Sequence, residues 1–245
     1  MSRNFELLQR SSKNNLLTVG GVPGIFPGKA PAAIPFKKAP SNIEIDKLVQ
    51  RLFSQTGKDS GPRVVSFSGI ARDDRSSWIC ARAGEALAEQ GGATVCIVEA
   101  NFLTPHLHDQ FDAANRIGLA EALSAQGPIR NFALPLGGQN FWMITSGLQK
   151  PAYTPSMERY RERFAELREA FDYTLVSAPP VSRETEATMI GQLADGVVLV
   201  VEANQTRRET VRRAKEQLES AQVRLLGAVL DQRTFPIPEK LYRRL

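Results

Sequence analysis

The sequence predicts an α/β fold, with a doubly wound, mostly parallel sheet carrying helices on both faces and a disordered basic arm ahead of it. Three observations predict it. From about residue 43 onward, short β-branched runs alternate with helical patterns. The runs are almost wholly apolar, as strands covered on both faces require. The first 41 residues differ from the rest in both composition and charge.

The elements are expected in the following order. A helical pattern from Glu44 to Ser54 opens the folded part, followed by the strand RVVSFS at 63–68. A helix from Ser76 to Gln90 leads to the strand TVCIV at 94–98, and FWMIT at 141–145 is the next strand. A helix from Ser156 to Ala170 precedes YTLVS at 173–177, and one from Arg183 to Leu193 precedes GVVLVV at 196–201. The last helix, Thr206 to Ala221, carries Leu218 and Ala221 on its apolar face and leads to LLGAVL at 225–230. Such alternation implies parallel strands joined by right-handed crossovers. No internal repeat is present.

The chain has 245 residues, of which 42% are apolar and 23% charged, enough apolar material for a substantial core. Collagen, coiled-coil and wholly disordered classes are excluded. No apolar run approaches about 18 residues, the length of a membrane-spanning helix. MSRNFELLQR lacks an apolar signal segment, so the expected location is cytoplasmic. Cys80 and Cys96 match no metal spacing and read as reduced, half-buried residues.

The formal net charge of +5 suggests nucleic acid or an anionic surface until it is partitioned. Residues 1–41 hold six basic side chains and one acid; residues 42–245 hold 25 of each. The folded part is therefore neutral, and nucleic-acid binding is not expected. The arm, with GGVPGIFPGKAPAAIPFKKAPS, has no helical or strand period and is expected to be flexible. The expected division is an arm over 1–41 and one domain over 42–245.

In doubly wound sheets the working edge lies at the carboxyl ends of the strands. After the first strand comes Ser68-Gly69-Ile70-Ala71-Arg72-Asp73-Asp74-Arg75-Ser76-Ser77, then a helix. That is the layout of a phosphate-binding loop, GxxxxGK[ST]. Gly69 falls on its first glycine, Asp74 on the second, Arg75 on the lysine and Ser76 on the magnesium-holding hydroxyl. The second strand ends in Glu99-Ala100-Asn101, the fourth in Ser177-Ala178-Pro179-Pro180.

These blocks carry a resemblance. VCIVEANFLTPHLHDQF, FDYTLVSAPPV and LADGVVLVVEANQTRRETVRRAKEQLESAQVRLLGAVLDQ resemble, in unbroken order over roughly residues 44–245, the cytoplasmic kinase module of bacterial tyrosine autokinases. That family regulates capsule and exopolysaccharide synthesis and belongs to the wider MinD/ParA-like group of P-loop proteins. The resemblance implies a P-loop NTPase-like fold and protein-tyrosine kinase activity. It also implies ATP and magnesium as cofactors where the pocket is functional.

The departures from the family pattern fall on the residues that do chemistry. Asp74 places a side chain and a negative charge where a glycine admits phosphate. A like-charge contact near 4 Å costs about 1–4 kcal/mol, depending on the local dielectric. Arg75 keeps a lysine's charge but not its slim reach. The two catalytic aspartates of the second motif are Glu99 and Asn101 here, and the arginine that follows them is Leu103. The aspartate of the third motif is Ser177, which offers no negative charge to a hard dication. The family's terminal tyrosine cluster is reduced to Tyr242, the one phosphoacceptor candidate. Glu44, Lys47 and Gln50-Arg51 give a loose version of the family's oligomer-forming E-x-x-R-x-x-R, so a homo-oligomer is an open expectation.

The simpler readings stay beside these. Arg75-Ser76-Ser77 is either a plain helix start or a weak phosphate site over Gly69, Asp74, Arg75, Ser76 and Ser77. Glu99 reads as a solvated carboxylate at a strand end and Ser177 as structural, with Ser76 and Glu99 the only metal candidates. His106 and His108 read as packing or surface residues. The expected function is a catalytically degenerate kinase-like protein acting through protein partners. The alternative is an atypical active kinase or ATPase using Arg75 and Glu99. The implied partners are a membrane-spanning polysaccharide chain-length or co-polymerase protein, or an active kinase paralogue. Peripheral contact of the basic arm with the inner face of the plasma membrane is also expected.

Overall fold

The computed structural model describes residues 17–19, 22–24, 42–53, 61–70, 74–137, 140–148, 156–182 and 185–232. The chain divides into two compact units, Met1–Ala32 and Ala33–Leu245. The first contains a two-stranded antiparallel ribbon, β1 (Leu17–Val19) with β2 (Val22–Gly24). This corrects the expectation of an arm without strand structure. Thr18, Val19 and Val22 are β-branched and flank a Gly-Gly pair, a composition that suits a hairpin.

The second unit is built on a seven-stranded sheet. Its strands are β3 (Val64–Gly69), β4 (Val95–Glu99), β5 (Leu134–Pro135), β6 (Phe141–Ile144), β7 (Tyr173–Ala178), β8 (Gly196–Glu202) and β9 (Leu225–Asp231). Their order is β5-β6-β4-β7-β3-β8-β9, and every pairing is parallel except β5 with β6. All six predicted strands are present within a residue or two of their expected ends. The five predicted helices are α1 (Ile43–Phe53), α2 (Asp74–Glu89), α4 (Met157–Ala170), α5 (Thr185–Leu193) and α6 (Arg208–Ser220). A sixth, α3 (Leu119–Ser124), and the short strand β5 were not predicted.

Period-two alternation sorts the strand side chains between two cores. On β8, Val198 and Val200 face a core shared with Ile45, Val49 and Phe53 of α1 and Ile79, Ala83 and Leu87 of α2. Val197, Leu199 and Val201 face Ala187 of α5 and Ala214 and Leu218 of α6. Helices therefore cover both faces of the sheet. Gly84 permits the close approach of α2 to β4: a Cβ there would lie 2.4 Å from Ile97 Cγ2.

The amino ends of the strands are pinned by carboxylates. Asp195 Oδ2 accepts the N–H groups of Arg63 and Val64 at 2.7 and 2.8 Å and pairs with Arg168. Asp172 Oδ2 does the same for Thr94 at the entry to β4, at 2.7 Å. These contacts fix the register at one edge and leave the opposite, carboxyl edge to the loops that follow β3, β4, β7 and β8.

Candidate functional site

Glu99 ends β4 with no exposed surface, which corrects the expectation of a solvated carboxylate. Its Oε1 accepts the N–H of Asn101 at 3.2 Å, and its Oε2 accepts those of His106 at 3.0 Å and Leu107 at 2.7 Å. The loop thus folds back over the carboxylate and supplies donors for its charge. Asn101 organises the same loop. Its Oδ1 accepts from the N–H groups of Leu103 and Thr104, while its Nδ2 donates to the carbonyl and hydroxyl of Thr104. This is the local turn chemistry of an Asn side chain. His106 lies 3.4 Å from Asp109, in keeping with a surface role. No cluster of three metal-ligating side chains occurs among the described residues.

Ser177 stands next to Glu99 in the β4–β7 register, and its carbonyl accepts the N–H of Ala100 at 2.8 Å. Its hydroxyl lies 2.9 Å from that of Ser77 on α2, with both residues buried. One hydroxyl donates to the other, so the end of β7 is tied to the first turns of α2.

Gly69 ends β3, and its carbonyl accepts the N–H of Val181 at 3.1 Å. Ser68 Oγ donates to the Pro179 carbonyl at 2.6 Å, and Ser182 Oγ to that of Ile70 at 2.6 Å. The Pro179-Pro180 turn is therefore laced to the strand end beside it. Helix α2 begins at Asp74, two residues earlier than predicted, which places Asp74 at the helix start as its dipole preference suggests. Ser76 is buried, and being one residue from Ser77 it faces a different side of the helix.

Arg75 pairs with a carboxylate of the last strand. Its Nε meets Asp231 Oδ2 at 2.5 Å and its Nη2 meets Asp231 Oδ1 at 3.0 Å. The guanidinium also sits over the Trp78 ring, 4.8 Å from its centroid. Asp231 ends β9 and was not among the predicted site residues. The available signal was its place at the carboxyl end of the last strand, where any side chain borders the working edge. Beside the fork lies a cleft of about 340 Å³ lined by Ile70, Arg75, Ser76, Glu202, Gln205 and Arg207, among others. Asn204, at φ 62°, turns the chain from β8 into the loop that walls it.

The structure thus brings Glu99, Ser177 and Ser77 together and places Arg75 and Ser76 at the cleft. Tyr242, Asp73 and the side chain of Asp74 lie outside the described residues. Helix α6 carries Arg212 and Arg213 in exposed pairs with Glu209, as a solvated face would. No helix among the described residues is long and apolar enough to cross a membrane.

No family model matches the chain. Among curated proteins it is 28% identical over 144 residues to the tyrosine-protein kinase YwqD of Bacillus subtilis, covering 58% of this chain and 61% of that protein. It is 24% identical over 179 residues to the tyrosine-protein kinase CpsD of Streptococcus agalactiae, covering 72% and 77%. This chain resembles the bacterial tyrosine kinases. Solved structures agree on the fold of these kinases. The chimerical protein CapA2B2 superposes with a TM-score of 0.71 at 21% identity, over 84% of this chain and 96% of that one. The VpsO kinase domain gives 0.68 at 19%, over 78% and 94%. MinD of Aquifex aeolicus gives 0.58 at 18%, over 74% and 72%, so the fold is shared with that protein as well.

Proposed function

We propose that this chain is a tyrosine-autokinase-like protein of capsule or exopolysaccharide biosynthesis or export that has lost catalysis and acts by binding protein partners. The observation that carries the reading is Glu99. A carboxylate that accepts three backbone N–H groups has little coordinating capacity left for magnesium, which favours an octahedral oxygen shell. Two further positions support it. Ser177 brings a neutral hydroxyl bonded to Ser77, and Arg75 is paired with Asp231. This donor set does not fit a magnesium nucleotide.

The partner this reading implies is the cytoplasmic end of a membrane-spanning chain-length or co-polymerase protein, or an active kinase paralogue. The basic residues of 1–41 would tether the protein at the inner face of the membrane, at most about 1 kcal/mol per basic residue. The test is a magnesium-ATP titration of the purified full chain, with a phosphotyrosine assay alongside. The expected result is no turnover; robust magnesium-dependent turnover overturns the reading. Removing residues 1–41 is expected to abolish co-sedimentation with anionic vesicles while leaving the melting temperature of the domain unchanged.

The cleft favours a second reading, an atypical active kinase or ATPase. It has the room for part of a ligand, with Arg75 and Ser76 on its wall. On this reading Arg75→Ala abolishes activity that the wild type must first display.

A further inference from the structure

The Arg75–Asp231 pair joins the first turn of α2 to the last residue of the edge strand β9, across 156 positions of sequence. It is bidentate, with each of two guanidinium nitrogens on a different carboxylate oxygen, the geometry that gives arginine–carboxylate pairs their strength and orientation. Arg212 and Glu209 on α6 share that geometry, and two other properties set the Arg75–Asp231 pair apart from them. It is shielded, with side chains 30% and 14% exposed, whereas Arg212 and Glu209 are 64% and 52% exposed. Both ends are held: Asp231 by the β8–β9 register and by its carbonyl, which accepts the Ala203 N–H at 2.8 Å, and Arg75 by its stack on Trp78.

Arg75 also lines the cleft, together with Ser76 and Arg207. It is the cation that the P-loop layout would direct at a phosphate. We propose that Asp231 is the residue that keeps polyphosphate out of the cleft: its carboxylate occupies Arg75 as an internal anion, and removing that charge frees the guanidinium, already on the cleft wall, for an incoming phosphate. The inference rests on the reading of the loop as a degenerate phosphate site, and it adds the group responsible for exclusion. The chemistry is competitive. An incoming phosphate has to displace a two-point, charge-assisted contact and then lie near the carboxylate it displaced, which stays beside the cleft. Both effects act on affinity in the same direction, whereas the cleft volume does not have to change.

The experiment measures pyrophosphate and ATP binding to the full-length chain by calorimetry, without relying on turnover. Asp231→Asn keeps the shape and removes the charge, and is expected to bind pyrophosphate about 10- to 100-fold more tightly than wild type, as the loss of one competing charge-assisted contact implies. Adding Arg75→Ala to Asp231→Asn is expected to erase the gain. Asp231→Ser gives the same comparison if the Asn variant folds poorly, as judged by its melting curve. Affinity within twofold of wild type in a folded variant overturns the proposal. So does a gain that survives Arg75→Ala, since it would then reflect general charge and not the fork. Turnover by the wild type, in contrast, overturns the degenerate-enzyme reading and is scored in a separate assay on unmodified protein.

Discussion

The hydroxyls of Ser77 and Ser177 face one another at 2.9 Å with both residues buried, 100 positions apart in sequence. Each is the other's hydrogen-bond partner. Ser177→Ala should therefore leave the Ser77 hydroxyl unsatisfied and lower stability by about 1–3 kcal/mol. The double variant Ser77→Ala/Ser177→Ala should be less destabilised than the sum of the two single changes. Urea denaturation of all four proteins completes the cycle; additive losses would show that the two hydroxyls do not act as a pair.

Glu99 is expected to behave as a loop anchor. Glu99→Gln keeps the shape but replaces an ionised acceptor by a neutral amide, with an NH₂ that faces backbone donors. A loss of about 2–3 kcal/mol is expected. Hydrogen exchange should quicken at the amides of Asn101, His106 and Leu107, which donate to it. Unchanged protection at those amides would remove the anchoring role.

Much of this framework was legible in the sequence. The six predicted strands are apolar β-branched runs, and such runs have few alternatives once helices flank them. The strand ends also located Glu99, Asn101 and Ser177 at one edge. What each side chain does there was not legible, because the deciding partners are remote in sequence: Ser77 for Ser177 and Asp231 for Arg75. Helix α3 escaped for a related reason. Six residues are too few to show a period; Glu121 caps its start locally by accepting the Gly118 N–H, while its end is held by remote arginines of α4. Strand β5 is two residues long and contains Pro135, which argues against a strand unless an antiparallel edge position is available.

Acid stability should depend on Asp195. Burial pushes its carboxyl up, but the Arg168 guanidinium and the N–H groups of Val64 and Arg63 outweigh burial and hold it below the usual carboxylate value of 3.8. A folded-state value lowered in this way stabilises the protein above the unfolded value, and the stability is lost as pH falls through the folded one. Melting temperatures measured downward from pH 5 should fall more gently in Asp195→Asn than in wild type. Parallel curves would show that other carboxylates dominate the acid limb.

Gly84→Ala offers a test of packing against propensity. Alanine favours a helix interior by about 1 kcal/mol over glycine. Here its methyl would collide with Ile97 on β4. We expect net destabilisation of about 1–3 kcal/mol, as overpacking usually gives. A rise in the urea midpoint would mean that α2 shifts away from the sheet at little cost.

Both thiols should be silent in the native state. Cys80 and Cys96 are buried, and burial pushes both well above the ordinary thiol range. An aromatic disulfide reagent at pH 8 should label neither until denaturant is added, and then both. Rapid labelling of native protein would reveal local opening between α2 and β4.

The two arginines that grip α3 also bear on the order of folding. Arg159 and the fully buried Arg163, both on α4, together donate to the carbonyls of Ala122, Leu123, Ala125 and Gly127. A six-residue helix is far below the length that nucleates alone in water. Its terminal carbonyls find their partners only once α4 is in place, so α3 is expected to be a late and dependent event. Ala122→Gly in α3 should then speed unfolding and leave the refolding rate almost unchanged. A matching drop in the refolding rate would place α3 in the nucleus instead.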